Sequence, residues 1–160
     1  WSTMKEFFKT LPAQKFKAIA VTVCLIGDLS YITYLYGKFS DHDVFMKAFS
    51  LALSFNKAAA NQFPPNFAED MFKIMLQSLT VMMALLLIFH IAMYAVYIAD
   101  KAAARAYLLA LTWVSGPGTI LMALMLKMSF SKLHFGILGL AYIFVAYGLL
   151  QYPNLKKKVW

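Results

Sequence analysis

Apolar residues gather in four runs, 18–36, 74–99, 106–126 and 133–150, and Asp28 is the one formal charge inside them. A helix rises ~1.5 Å per residue, so ~20 apolar residues cover the ~30 Å hydrocarbon core of a bilayer. The pattern predicts an all-α polytopic membrane protein, a bundle of four transmembrane helices in a single integral membrane domain over residues 4–160. Trp1–Thr3 precede Met4 and read as a vector-derived remnant. Met4 with Lys5, Lys9, Lys15 and Lys17 ahead of the first run resembles a signal sequence. No small-residue cleavage pattern follows Tyr36, so the expectation is a retained first span.

A different period appears between the first two runs. Lys47, Ser50, Ser54, Lys57 and Asn61 recur at spacings of three and four, with Val44, Phe45, Ala48, Phe49, Ala52, Leu53 and Phe55 on the other face. This predicts an external amphipathic helix from about Asp41 to Asn61, too short to span, lying flat on the outer surface as a connector or packed over the bundle as a lid. Ser40 followed by Asp43 suggests a capping box at its start. Pro64-Pro65 ends the segment, and Asn66 with Glu69 forms a similar start for the second span. That helix is expected from near Phe67 to about Asp100, ~50 Å long, so it must tilt or project beyond the bilayer.

Composition narrows the class. The chain is 62% hydrophobic and 14% charged, against roughly 25% charged in soluble domains. The longest polar connection, 37–73, leaves no room for a separate soluble domain. The formal net charge is +8, but the basic residues cluster at the ends of the apolar runs, where lipid head groups lie. A nucleic-acid partner is therefore not expected; the bilayer is. With four spans, Lys5, Lys9, Lys15, Lys17, Lys101, Arg105 and Lys156–Lys158 fall on one side, and Lys38, Lys47, Lys57, Lys73, Lys127 and Lys132 on the other. The denser side is expected in the cytoplasm. Both termini are then cytoplasmic, in a cell (inner) membrane. Tyr31, Tyr34 and Tyr36, and Tyr94 and Tyr97, fit interfacial aromatic belts.

Asp28 is the leading candidate for function. A charged Asp at the centre of a membrane helix costs roughly 2.5–3.5 kcal/mol on insertion scales, so such residues mark proton or ion pathways or glue helices together. His90 in the second run shares a helix face with Tyr94 and Tyr97 at i+4 and i+7, a stripe able to carry protons between Asp28 and the cytoplasm. Gln77 sits about 140° around the same helix and belongs to another surface. Gly116, Pro117 and Gly118 interrupt the third run, where the helix is expected to bend or unwind, either as a proline-kinked packing helix or as a broken helix that frames a pathway. Ala102, Ala106 and Ala110 form a small-residue stripe suited to helix packing, as do Gly136 and Gly139.

No metal site or cofactor is expected. His42 and His134 belong near the outer boundary, away from His90; Cys24 is alone and reads as a small core residue; the Met residues read as packing filler. Four short spans with an acidic residue in the first resemble, in architecture and not in motif, the small multidrug-resistance exporters. The resemblance implies proton-coupled export. The long 37–73 connection and the Gly116-Pro117-Gly118 break depart from that pattern. The expected function is a small homo-oligomeric channel or transporter for ions or small solutes, proton-linked through Asp28. The alternative is a non-transporting accessory or assembly protein. An intramembrane enzyme is not expected, because the runs offer no nucleophile–base pair.

Overall fold

The computed structural model describes residues 6–8, 10–55, 63–127 and 129–152. Among them there is no strand. The elements are α1 (Ala13–Phe39), α2 (His42–Ser54), α3 (Phe67–Ile98), α4 (Ala102–Met125) and α5 (Ser129–Gln151). All but α2 are long and apolar enough to cross a bilayer, which makes the chain an all-α integral membrane protein. Large apolar side chains lie on the outside, such as Leu85, Ile88, Val114 and Leu140. In water this would be costly; against lipid tails it costs nothing, and only backbone polar groups need internal partners.

Packing divides the chain into two compact units, residues 1–28 with 89–160, and residues 29–88. In the first, α4 and α5 form a closely packed pair. The buried face of α4 is Ala104, Leu108, Thr112, Gly116, Thr119 and Ala123, one residue per turn. Small side chains there let the backbones approach. A Cβ added at Gly139 would stand 3.1 Å from the carbonyl oxygen of Gly116, and one added at Gly116 would stand 2.9 Å from Ile143. The Thr112 hydroxyl donates to the Leu108 carbonyl at 2.7 Å, and Thr119 to Ser115 at 2.5 Å, so neither brings an unsatisfied polar group into the contact.

Two expectations change here. Helix α4 runs unbroken through Gly116, Pro117 and Gly118. Proline removes the donor that would serve the Trp113 carbonyl, but Pro117 and Gly118 face outward while Gly116 seats against α5. The glycine thus serves close packing rather than unwinding. The second concerns Ala102, Ala106 and Ala110, which lie on the exposed side; the contact with α5 uses the face through Ala104 and Leu108. Gly136 likewise has open space around it.

The end of α3 is tied to the start of α1 by charge. The Asp100 amide donates to Tyr97 O and the Lys101 amide to Val96 O, the double bond of a Schellman cap. The cap needs a left-handed residue, and Asp100 takes that position with φ 62° where glycine is usual. The carboxylate accounts for the choice: Lys17 Nζ lies 2.6 Å from Asp100 Oδ1 and donates to the Ile98 carbonyl at 3.3 Å. One buried ammonium therefore pairs with a half-buried acid and caps a carbonyl at the negative end of a helix. Arg105 likewise caps a carbonyl near the end of α5, donating to Leu149 O from Nε and Nη2 at 3.1 and 2.6 Å. Nearby, Phe16 stacks on Tyr152 with ring centroids 4.9 Å apart. The Tyr152 hydroxyl donates to the carbonyls of Phe8 and Leu11, and burial raises its pKa by favouring the neutral phenol.

In the second unit, Asp41 caps α2, accepting from the Val44 amide at 3.1 Å. The expected Ser40 cap is thus displaced by one residue. Phe45 and Phe49 stack along the apolar side of α2, and meet Phe72 and Phe67 of α3 at 5.2 and 6.1 Å. Lys47 and Ser50 are exposed. The expected continuation through Lys57 and Asn61 lies outside the described residues, as do Trp1–Thr3 and Lys156–Lys158.

Candidate functional site

The buried face of α1 passes through Phe16, Ala20, Cys24, Gly27 and Asp28, at helical spacing. Small residues on this face admit large rings from neighbouring helices. A Cβ at Gly27 would collide with the hydroxyl end of Tyr142 from α5, so glycine is what lets that ring lie beside Asp28. Asp28 itself is only 8% exposed.

Each polar atom of the Asp28–His90 pair has a partner. Asp28 Oδ1 lies 2.7 Å from His90 Nδ1, and Oδ2 accepts from the Tyr94 hydroxyl at 2.5 Å. On the other side of the imidazole, Nε2 lies 2.7 Å from the Tyr107 hydroxyl. His90 and Tyr94 are one turn apart on α3, and both are buried. Tyr107 comes from the second turn of α4 and is half-buried. The result is a chain of four groups, Tyr94–Asp28–His90–Tyr107, supplied by three helices.

Hydrogen-bond chemistry fixes how the protons can sit. With Asp28 ionised, His90 must carry its proton on Nδ1 and donate it to Oδ1. Neutral imidazole then accepts at Nε2 from the Tyr107 hydroxyl. With one proton more, the site can hold imidazolium beside carboxylate, or a neutral acid donating to Nδ1. Both forms carry no net charge, whereas the first carries one negative charge. Moving a proton across either 2.7 Å contact requires no displacement of helices. The arrangement is thus suited to taking up, holding and passing on a single proton in a low-dielectric setting.

Of the residues singled out in the sequence, Asp28, His90 and Tyr94 come together here. Gly116, Pro117 and Gly118 are outside the hydrogen-bonded chain, and Gly116 is a packing position. Tyr94 and Tyr97 are 3% and 5% exposed, so they point into the protein and do not form an interfacial belt. Tyr97 shares the face of His90 but is not a member of the chain of four. Its place beyond His90 is taken by Tyr107, which the helical periodicity of α3 does not reach. A signal existed. His90 is eight residues before the end of α3 and Tyr107 five after the start of α4, which sets them at ~12 and ~8 Å from a shared turn. Gln77 is exposed. Among the described residues, no group of His, Cys, Asp or Glu has the arrangement to hold a metal ion. Comparison with protein-family models, curated protein sequences and solved structures found no match.

Proposed function

We propose that this protein is a small membrane channel or transporter for ions or small solutes, in which the Asp28–His90 pair couples movement to protonation. The observation that carries the reading is the buried carboxylate–imidazole contact of 2.7 Å inside an apolar helical unit. Intramembrane ionisable residues are rare and typically mark ion or proton paths. A pair that gains or loses one proton changes its net charge by one, and that change can bias two helix arrangements. Four helices enclose little volume, so the pathway is proposed to form in a homo-oligomer. The distribution of basic residues supports both termini in the cytoplasm, in a cell (inner) membrane. No chemical conversion is assigned to the site.

The test is flux into proteoliposomes across imposed pH steps, read with a pH-sensitive dye and a panel of monovalent ions. Asp28→Asn keeps size and hydrogen-bonding capacity but cannot titrate. It is expected to fold and to lose the pH dependence of flux. Unchanged, pH-responsive flux in the folded variant removes Asp28 from the mechanism.

A second reading has its own support. Both Asp28 oxygens and both His90 nitrogens are satisfied within the chain, as they would be in a structural clasp of an accessory or assembly protein. On that reading Asp28→Asn is nearly silent, Asp28→Leu destabilises, no flux is seen, and a partner protein co-purifies.

A further inference from the structure

The chain of four has two ends that differ. Tyr94 is 3% exposed and donates to a carboxylate oxygen, so its proton is committed inward. Tyr107 is half-buried, and its hydroxyl is the member in contact with the imidazole nitrogen that faces away from Asp28. The Phe89 ring packs edge-on against Tyr107, centroids 5.5 Å apart at 89°, and fixes the plane of the phenol without competing for its oxygen.

We propose that Tyr107 is the port through which protons reach and leave Asp28, and that each proton taken up inverts the tautomer of His90. This rests on the proton-linked reading of the site. Before uptake, Asp28 is a carboxylate, His90 carries hydrogen on Nδ1, and Tyr107 donates to Nε2. A hydronium ion gives a proton to the Tyr107 oxygen and leaves as water. Tyr107 passes its original hydrogen to Nε2, and Nδ1 passes its hydrogen to Asp28 Oδ1. The products are a neutral Asp28 acid donating to Nδ1, His90 with hydrogen on Nε2 donating to the Tyr107 oxygen, and an intact phenol. One proton has entered and no bond between heavy atoms has changed. The two 2.7 Å contacts serve both states with donor and acceptor exchanged. Tyr94 continues to donate to Oδ2 in each.

Titratable side chains near the Asp28–His90 pair include Cys24 on α1, Tyr94 and Tyr97 on α3, and Tyr142 on α5, with Asp100 beside Tyr97. The cation Arg105 interacts with Tyr97 and is engaged by the Leu149 carbonyl.

The full-length protein in lipid nanodiscs, labelled with 15N-histidine, provides the test by NMR. The His90 resonances are assigned by their loss in His90→Gln. At high pH the protonated nitrogen is expected to be Nδ1, and at low pH Nε2. A low-pH state with both nitrogens protonated, or with no change of tautomer, overturns the inversion. Tyr107→Phe retains the ring against Phe89 and removes the hydroxyl. It is expected to slow exchange of the His90 proton with water at least tenfold, a modest share of the roughly 10²–10⁴-fold given by a positioned proton-transfer group. Unchanged exchange in the folded variant overturns the port. Flux separates this result from the broader reading. If Asp28→Asn abolishes pH-dependent flux while Tyr107→Phe leaves exchange and flux intact, only the port fails. If wild-type protein shows no proton-linked flux, the transport reading fails, and the NMR exchange rates still decide the role of Tyr107.

Discussion

Among the described residues, each compact unit holds a close histidine–carboxylate contact, and the two are of nearly the same length. In the first unit His90 meets Asp28 at 2.7 Å; in the second His42 meets Glu69 at 2.8 Å. Their surroundings differ. The side chains of the first pair are each 8% exposed, those of the second 46% and 44%. Asp28 and His90 are held at their outer atoms by two tyrosine hydroxyls. His42 has Asp43 at 3.9 Å as a second, looser acidic neighbour and rests edge-on against Phe72. Water screens the second pair and can replace either partner. Around the first pair there is no such substitute, so the loss of one member leaves an unsatisfied polar group in an apolar interior. Distance alone does not set the strength of an ion pair; the medium and the remaining hydrogen bonds do.

The largest expected effect is from His90→Leu, which strands Asp28. It should destabilise the protein by about 3–5 kcal/mol, read as unfolding in detergent micelles or by steric trapping in bilayers. The double variant with Asp28→Leu should recover much of that loss, since an apolar pair of similar volume fills the site without a desolvated charge. A cost below about 1 kcal/mol for His90→Leu, the level of exposed pairs, would break the contrast between the two sites. Tyr94→Phe comes next. It removes the donor to Asp28 Oδ2 and is expected to cost about 1.5–3 kcal/mol, the range for a hydrogen bond to a charged group. The same unfolding measurement checks it, and a silent Tyr94→Phe would show that Oδ2 finds another donor. Glu69→Gln in the second unit should cost about 0–1 kcal/mol. Raising salt to ~1 M shortens the screening length to ~3 Å and should erase even this difference, while leaving the cost of His90→Leu in place. A salt-sensitive effect at His90 would mean that water reaches the buried pair.

Much of this architecture could be read along the chain. Uninterrupted apolar runs longer than a bilayer is thick have few alternatives to membrane helices, because every backbone polar group in lipid must be bonded within its own segment. The amphipathic period from Asp41 onward located α2, and Asp28 declared itself by its cost at that depth. Other features depended on neighbours. Gly116-Pro117-Gly118 signals a break by local propensity, yet the helix continues because Gly116 is held against Gly139 and Ile143 while the proline faces outward. The alanine stripe of α4 suggested a packing face, but the contact with α5 is made one face over. Apolar helices in lipid carry no hydrophobic asymmetry to say which side turns inward, so rotation about each axis is undetermined by pattern alone.

The same degeneracy explains the site. Helical periodicity is a local property, so the order of residues already puts one carboxylate inside an apolar span and sets His90 and Tyr94 on one helix face. Which residue would meet the far nitrogen of His90 was decided by the tertiary structure. Tyr97 and Tyr107 are both phenols near the same turn of the chain. The choice of Tyr107 follows from how α4 is rotated when its Ala104–Leu108–Thr112 face seats against α5, leaving Tyr107 turned toward α3. That rotation is set by close packing of small residues, a non-local fit between helices that no single segment encodes.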